Sequence, residues 1–284
     1  MSIQFAELKD FPQIRALWDL CFPEEPVFNL WFFDRIFKLQ NTIIFRKNKE
    51  LCAMLQIFPY KLKLGHTIYP VHYIYGACTH PDYRNKGIMG SLLNFACNNG
   101  KYRGDFASIL IPQNKPLFDL YEKYGYKPNF YVNKFSRTPC GTTDSTFIRE
   151  AVVEDIERIS SLYERGTLDY EGFIIRDPSY WLQQFKMFHE LDGKVYLLER
   201  DKDCLAYGFV SFVENQLFVQ EAIGISKEAI ISLVDQVSLK EKYSSSSVLT
   251  SNFLNGDRIP LGCIKFLQKN RPTEFCGYMN LMFN

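Results

Sequence analysis

Tyr75-Gly76-Ala77-Cys78-Thr79-His80-Pro81-Asp82-Tyr83-Arg84-Asn85-Lys86-Gly87-Ile88-Met89-Gly90-Ser91-Leu92-Leu93 is the stretch from which the rest of the chain is read. The residues up to Thr79 have strand character, and His80-Pro81-Asp82-Tyr83 closes a turn. A loop Arg84-x-x-Gly87-x-x-Gly90 follows, and Ile88, Met89, Leu92, Leu93 and Ala96 then share one helical face. Backbone N–H groups in the first turn of a helix lack intrahelical acceptors and lie at the positive end of its dipole. A pyrophosphate settles there when small residues let it approach. Gly87 and Gly90 are expected to supply that room, and Arg84 and Lys86 the positive charge. The competing reading is an ordinary glycine-containing strand–helix turn, and the full order of strand, His-Pro turn, loop and helix favours the anion site.

This segment resembles motif A of the GCN5-related N-acetyltransferase (GNAT) superfamily, whose fingerprint is Arg/Gln-x-x-Gly-x-Gly/Ala after a strand. Arg84 and Gly87 match; the last fingerprint position holds Met89, and the second glycine comes one residue later at Gly90. The run Gly87-Ile88-Met89-Gly90-Ser91-Leu92-Leu93 is also similar to the Eis-like acetyltransferases. The resemblance implies acetyl-CoA as cofactor. Arg84, Asn85, Lys86, Gly87, Ile88, Met89 and Gly90 would surround its pyrophosphate. Ala77, Cys78 and Thr79 would run beside the thioester and pantetheine through backbone contacts.

A second match lies at Asn114-Lys115-Pro116-Leu117-Phe118-Asp119-Leu120-Tyr121-Glu122-Lys123-Tyr124-Gly125-Tyr126. It is similar to the family's Phe/Leu-Tyr-Glu-Lys-x-Gly-Phe/Tyr signature, which implies Tyr121 as the proton donor to the departing thiolate, with Tyr124 as the alternative. Read from the residues alone, Tyr121 shares a helical face with Leu117, Phe118 and Tyr124 and fits core packing as well. Asn114 is a helix cap, and by resemblance a contact of the pantetheine. His72, Tyr73 and Tyr75 are expected on the strand lining the acceptor cleft, with His72 a candidate base. Phe28, Trp31, Phe32 and Phe58 are candidate lining residues.

A chain of 284 residues is long for one compact domain and comfortable for two. Its hydrophobic fraction of 46% can fill such cores and argues against disorder. The formal net charge is +1 and no basic block stands out, so a nucleic-acid partner is not expected. No apolar run approaches membrane-spanning length, and Met1–Glu7 reads as a strand rather than a leader, so a cytoplasmic protein without a membrane partner is expected. The 8 cysteines are scattered with no Cys-x-x-Cys spacing, which predicts free thiols and no zinc site.

The fold expected is α/β (α+β): two tandem GNAT-like domains, each a mixed, mostly antiparallel sheet flanked by helices. The first spans residues 1–137, a linker 138–145, and the second 146–284. A shift of 145 residues superposes Leu8, Phe11, Ile14, Leu17 and Trp18 on Val153, Ile156, Ile159, Leu162 and Tyr163. At the second strand–helix passage the chain reads Glu221-Ala222-Ile223-Gly224-Ile225-Ser226-Lys227-Glu228, without an Arg-x-x-Gly loop, so this copy is expected to lack the cofactor site. Eis-like proteins commonly add a sterol-carrier-like domain. The sequence stops before one, and Asn284 is not assigned the chain-terminal carboxylate role that the resemblance places there. The function expected is acetyl transfer from acetyl-CoA to a small-molecule or peptide amine; the alternative is a non-catalytic acyl-CoA-binding module.

Overall fold

Runs of β-branched and aromatic residues build strands in both halves of the chain. In the first half β1 (Ser2–Phe5), α1 (Phe11–Cys21) and α2 (Pro26–Arg35) precede β2 (Thr42–Lys47), β3 (Glu50–Leu64) and β4 (Thr67–Thr79). Then come α3 (Ile88–Arg103), β5 (Ala107–Leu110), α4 (Lys115–Glu122) and β6 (Lys127–Arg137). The second half runs β7 (Phe147–Glu150), α5 (Ile156–Gly166), β8 (Gly172–Ile175), α6 (Pro178–Glu190), β9 (Lys194–Arg200), β10 (Asp203–Val213) and β11 (Gln216–Gly224). It ends with α7 (Lys227–Lys240), β12 (Ser246–Thr250), β13 (Asp257–Phe266) and β14 (Gly277–Tyr278). This computed structural model describes residues 1–141, 145–213, 216–251, 256–269 and 275–281. Asn284 lies outside them, as do residues 142–144 of the expected linker.

Two compact units form, and they interleave in sequence. One takes Met1–Asn129 with Gly262–Phe275; the other takes Phe130–Leu261 and the stretch from Cys276 onward. The first unit orders β1, β2, β3 and β4 antiparallel, then β5 parallel to β4. Its sheet is extended by β13, whose Cys263–Phe266 pair antiparallel with β5. The second unit repeats the plan with β7, β9, β10 and β11 antiparallel and β12 parallel to β11. Its sheet is extended by β6, whose Asn133–Arg137 pair antiparallel with β12. Each half of the sequence therefore supplies a strand to the other unit, and the division does not fall at residues 138–145.

The repetition reaches local chemistry. Asn48 and Lys49 take positive φ between β2 and β3, and Asp201 and Lys202 do so between β9 and β10, the backbone of tight hairpin turns. Asp10 precedes α1. Its carboxylate reaches back to the Glu7 N–H at 2.9 Å and pairs with Arg46 at 2.7 Å, rather than capping the helix interior. Asp155 does the same before α5, accepting from the Val152 N–H at 2.9 Å and from Arg149 at 2.7 Å.

The helix bearing Phe28, Trp31 and Phe32 is α2, ending at Arg35. Asn98-Asn99-Gly100 does not end α3, which continues to Arg103 and stops at Gly104 with φ 87°. Gly100 is inside the helix because a Cβ there would stand 2.5 Å from the His72 ring. In the first unit α3 and α4 cover one apolar cluster of the sheet, including Ile43, Leu55, Ile74, Leu92, Leu93 and Tyr126. Among the described residues no helix is long and apolar enough to cross a membrane.

Candidate functional site

The site begins where β4 leaves β5. The two strands pair from Val71↔Ala107 to Ile74↔Leu110, and β4 then runs on through Tyr75–Thr79 beyond the end of β5. Within that overhang β4 bulges: Gln56 faces Tyr75 and Met54 faces Cys78, so Gly76 and Ala77 together oppose Leu55. Gly76 has φ 56°, and an added Cβ would meet the Trp18 ring at 2.2 Å. Glycine is thus required here both for the backbone and for the indole. The overhang presents Ala77, Cys78 and Thr79, the three residues expected beside a thioester.

The loop comes next. His80 starts a short helical turn over Pro81–Tyr83, and its Nδ1 accepts from the Asp82 N–H at 3.3 Å. Asn85 (φ 61°) and Gly87 (φ 73°) are left-handed, and Gly87 is the N-cap of α3 with no side chain closing the first turn. Nothing lies within 4 Å of a Cβ built on Gly87. The first N–H groups of α3 are thus left without a side-chain cap beside an unobstructed glycine, the kind of helix start that accepts an anion. Arg84 and Lys86 are exposed; Arg84 Nε donates to the Thr79 carbonyl at 3.2 Å, and Lys86 Nζ to the Asp82 carbonyl at 2.6 Å. Both cations are held to the loop with donors to spare.

Gly90 corrects the expectation. A Cβ there would meet the Tyr124 ring at 2.3 Å, so its missing side chain makes room for a tyrosine and not for a phosphate. Met89 is half-buried against the α3–α4 cluster and Ile88 is buried within it.

Tyr121 lies on α4, 7% exposed, with its ring edge-on to Tyr126 at 5.9 Å between centroids. Burial, with smaller contributions from the Cys263 and Cys78 thiols, pushes its phenol up to about 12. A phenol so placed stays protonated across the working range of an enzyme. Asn114 caps α4, its Oδ1 accepting from the Leu117 N–H at 3.2 Å, while the residue remains exposed.

His72 also departs from expectation. It is 1% exposed and packs against Gly100 of α3, with Nδ1 donating to Asp105 Oδ2 at 2.7 Å. The same carboxylate oxygen accepts from Arg103 at 2.6 Å. Strand alternation sends Tyr73 and Tyr75 to the opposite face, where Tyr75 lies 5.3 Å from Phe32, 6.0 Å from Trp18 and 6.3 Å from Phe58. His72 belongs to the packing under α3. On the other face Phe28 stacks beside Trp31 and Phe32, each at 6.1 Å, and Trp18 Nε1 donates to buried Asn29 at 2.7 Å. Among the described residues no cluster of His, Cys, Asp and Glu is placed to hold a metal ion.

Residues 2–129 match the family model of the acetyltransferase (GNAT) domain. Residues 2–129 form a GNAT-type acyltransferase domain. No curated protein matches the chain by sequence. Among solved structures the chain resembles a protein of Enterococcus faecalis described as a probable N-acyltransferase, with TM-score 0.74 and 15% identity over 94% of this chain and 72% of that one. It resembles Eis1 of Mycobacterium abscessus with TM-score 0.67 and 14% identity, over 94% and 74%. It also resembles Saccharomyces cerevisiae N-myristoyltransferase with bound myristoyl-CoA, with TM-score 0.60 and 13% identity over 96% and 83%. At these identities the likeness is one of fold. Beyond the matched residues, the second unit repeats the strand order of the acetyltransferase domain.

Two features of the site escaped sequence reading. Gly76 inside an apolar strand is the signal for a bulge that was not used. The contact between Gly90 and Tyr124 joins α3 to the turn after α4, and no local pattern announces it.

Proposed function

We propose that the chain is an acetyl-CoA-dependent N-acetyltransferase that moves the acetyl group to a primary amine of a small molecule or peptide by direct attack on the thioester. The observation that carries this reading is the open first turn of α3 at left-handed Gly87, beside the overhang of β4 past β5. The α3 N–H groups, with Arg84 and Lys86, would hold the pyrophosphate, and Asn114 would meet the pantetheine with its exposed amide. Acetyl-CoA supplies an activated acyl group on a good leaving thiol. A backbone amide near Cys78 or Thr79 would stabilise charge on the carbonyl oxygen. Tyr121 would protonate the departing thiolate, a role suited to a phenol that burial keeps protonated. Solvent is the route for the amine's proton, since His72 faces the other way.

Calorimetric titration with acetyl-CoA and CoA, on wild type and on Gly87→Glu, tests the reading. Binding near micromolar in wild type, weakened about a hundredfold or more by the added carboxylate, is expected. Folded wild type that binds neither ligand would sink it. Binding without thiol release against a broad amine panel would favour the non-catalytic acyl-CoA-binding alternative.

A further inference from the structure

Two thiols sit at the open end of β4 and the reaction proposed above uses neither. Cys21 ends α1 and is half-buried; Cys78 lies just before the end of β4 and is 5% exposed. Cys21 Sγ is 3.6 Å from the Thr79 carbonyl oxygen, and when Cys21 is ionised the Cys78 thiol donates to it. That hydrogen bond, helped by the nearby Arg84 guanidinium, outweighs partial burial and brings Cys21 down to about 7. Burial pushes Cys78 up. An accessible thiolate beside a protonated partner thiol is the arrangement that peroxides oxidise selectively.

The second unit shows how close these two backbone positions come. The shift of 145 residues carries Cys21 to Gly166 and Cys78 to Ile223. A Cβ added to Gly166 would stand 2.3 Å from the Ile223 side chain. In the second unit the end of the first helix and the fourth strand thus meet, with glycine at one of the two positions. In the first unit both positions are cysteine.

We propose that Cys21 and Cys78 are a redox modification site, forming a reversible disulfide when a hydroperoxide oxidises Cys21. The Cys21 thiolate attacks a peroxide oxygen: the S–O bond forms, the O–O bond breaks, and the leaving hydroxide takes a proton to become water. The Cys78 sulfur then attacks the Cys21 sulfenic acid. The S–S bond forms, the S–O bond breaks, and the Cys78 proton leaves with the hydroxyl as a second water. Two thiols are oxidised and one peroxide is reduced. The functional consequence rests on the proposed donor site: tying α1 to the strand beside Thr79 narrows the groove expected to take the thioester.

The test treats the reduced full-length protein with hydrogen peroxide, blocks remaining thiols with N-ethylmaleimide and maps peptides by mass. The expected product joins the Cys21 and Cys78 peptides with loss of two hydrogens, is reversed by dithiothreitol, and is absent from Cys21→Ser. Recovery of both residues as maleimide adducts, or of Cys21 as sulfinic acid with Cys78 unlinked, overturns the proposal. Acetyl-CoA titration of oxidised and re-reduced protein is a separate readout, with affinity expected to fall about tenfold or more on oxidation. A mapped link in a protein that binds no acetyl-CoA when reduced would overturn the donor-site reading and leave the redox site standing. Equal affinity in both forms would overturn the narrowing of the groove.

Discussion

The two strand-to-helix passages, from β4 to α3 and from β11 to α7, share a plan and differ in how the helix begins. The first passes through His80–Gly87 and leaves the α3 first turn without a side-chain cap. The second has only Ile225 and Ser226 between strand and helix, and Ser226 Oγ accepts from the Ala229 N–H at 3.2 Å. Glu228 completes the closure: its carboxylate sits on its own backbone N–H and takes the Ser226 hydroxyl, which hold it below the usual carboxylate range. One helix start is left without a side-chain cap and the other carries its own acceptors. A shared fold does not decide whether a helix end binds a ligand; the capping residues do.

The strands before those helices differ in the same sense. Both carry a bulge, in β4 opposite Leu55 and in β11 between Val219 and Glu221. Gly76 in the first is covered by Trp18. Its counterpart under the 145-residue shift is Glu221, fully buried and bound by Arg176, Tyr207 and Tyr278. Arg176 is itself buried beneath Tyr163 at 4.1 Å and Trp181 at 4.9 Å. The second unit has filled this region with an ion pair and aromatic rings.

The strongest way to break that comparison is Glu221→Ala. It strands a buried guanidinium and is expected to cost about 3–5 kcal/mol in urea unfolding; a loss below about 1 kcal/mol would mean the pair is not what fills the second unit. Tyr121→Phe should lower kcat about a hundredfold, equivalent to about 2.7 kcal/mol, with a nearly unchanged Tm. Unchanged turnover would return Tyr121 to the core. With its phenol at about 12, the wild-type kcat profile should show no alkaline limb from this group below about pH 11. Gly76→Ala forces a left-handed alanine into the Trp18 ring and is expected to destabilise by about 2 kcal/mol in the same denaturation.

The smallest effect is an acid limb. Hydrogen bonds from Arg149 lead the causes that hold Asp155 at about 2, below its ordinary 3.8. Stability from this carboxylate is full above pH 4 and is lost as pH falls through about 2. Asp155→Asn should flatten that limb by about 1 kcal/mol, the arginines being partly exposed. If the limb persists in the variant, other carboxylates set it.

Sequence reading succeeded where signals are local. The passage from β4 through Arg84 and Gly87 into α3, the cap at Asn114 and the 145-residue repeat are all written in neighbouring residues or in their period. It failed where tertiary contact decides. Gly90 looked like a gap for phosphate and is one for Tyr124, and His72 is buried under α3 because strand alternation puts it there. The exchange of β6 and β13 also left no mark, since a strand's partner is chosen by pairing register and not by composition.

That exchange has a consequence for how the protein is made. On the ribosome, β5 has long emerged before Cys263 exists to pair with Leu110. The first unit's sheet therefore stays one strand short through most of synthesis, with an edge available for wrong pairing. A gene fragment cut after residue 137 would inherit that edge permanently, so the acetyltransferase domain is heritable only together with the strand that its neighbour encodes.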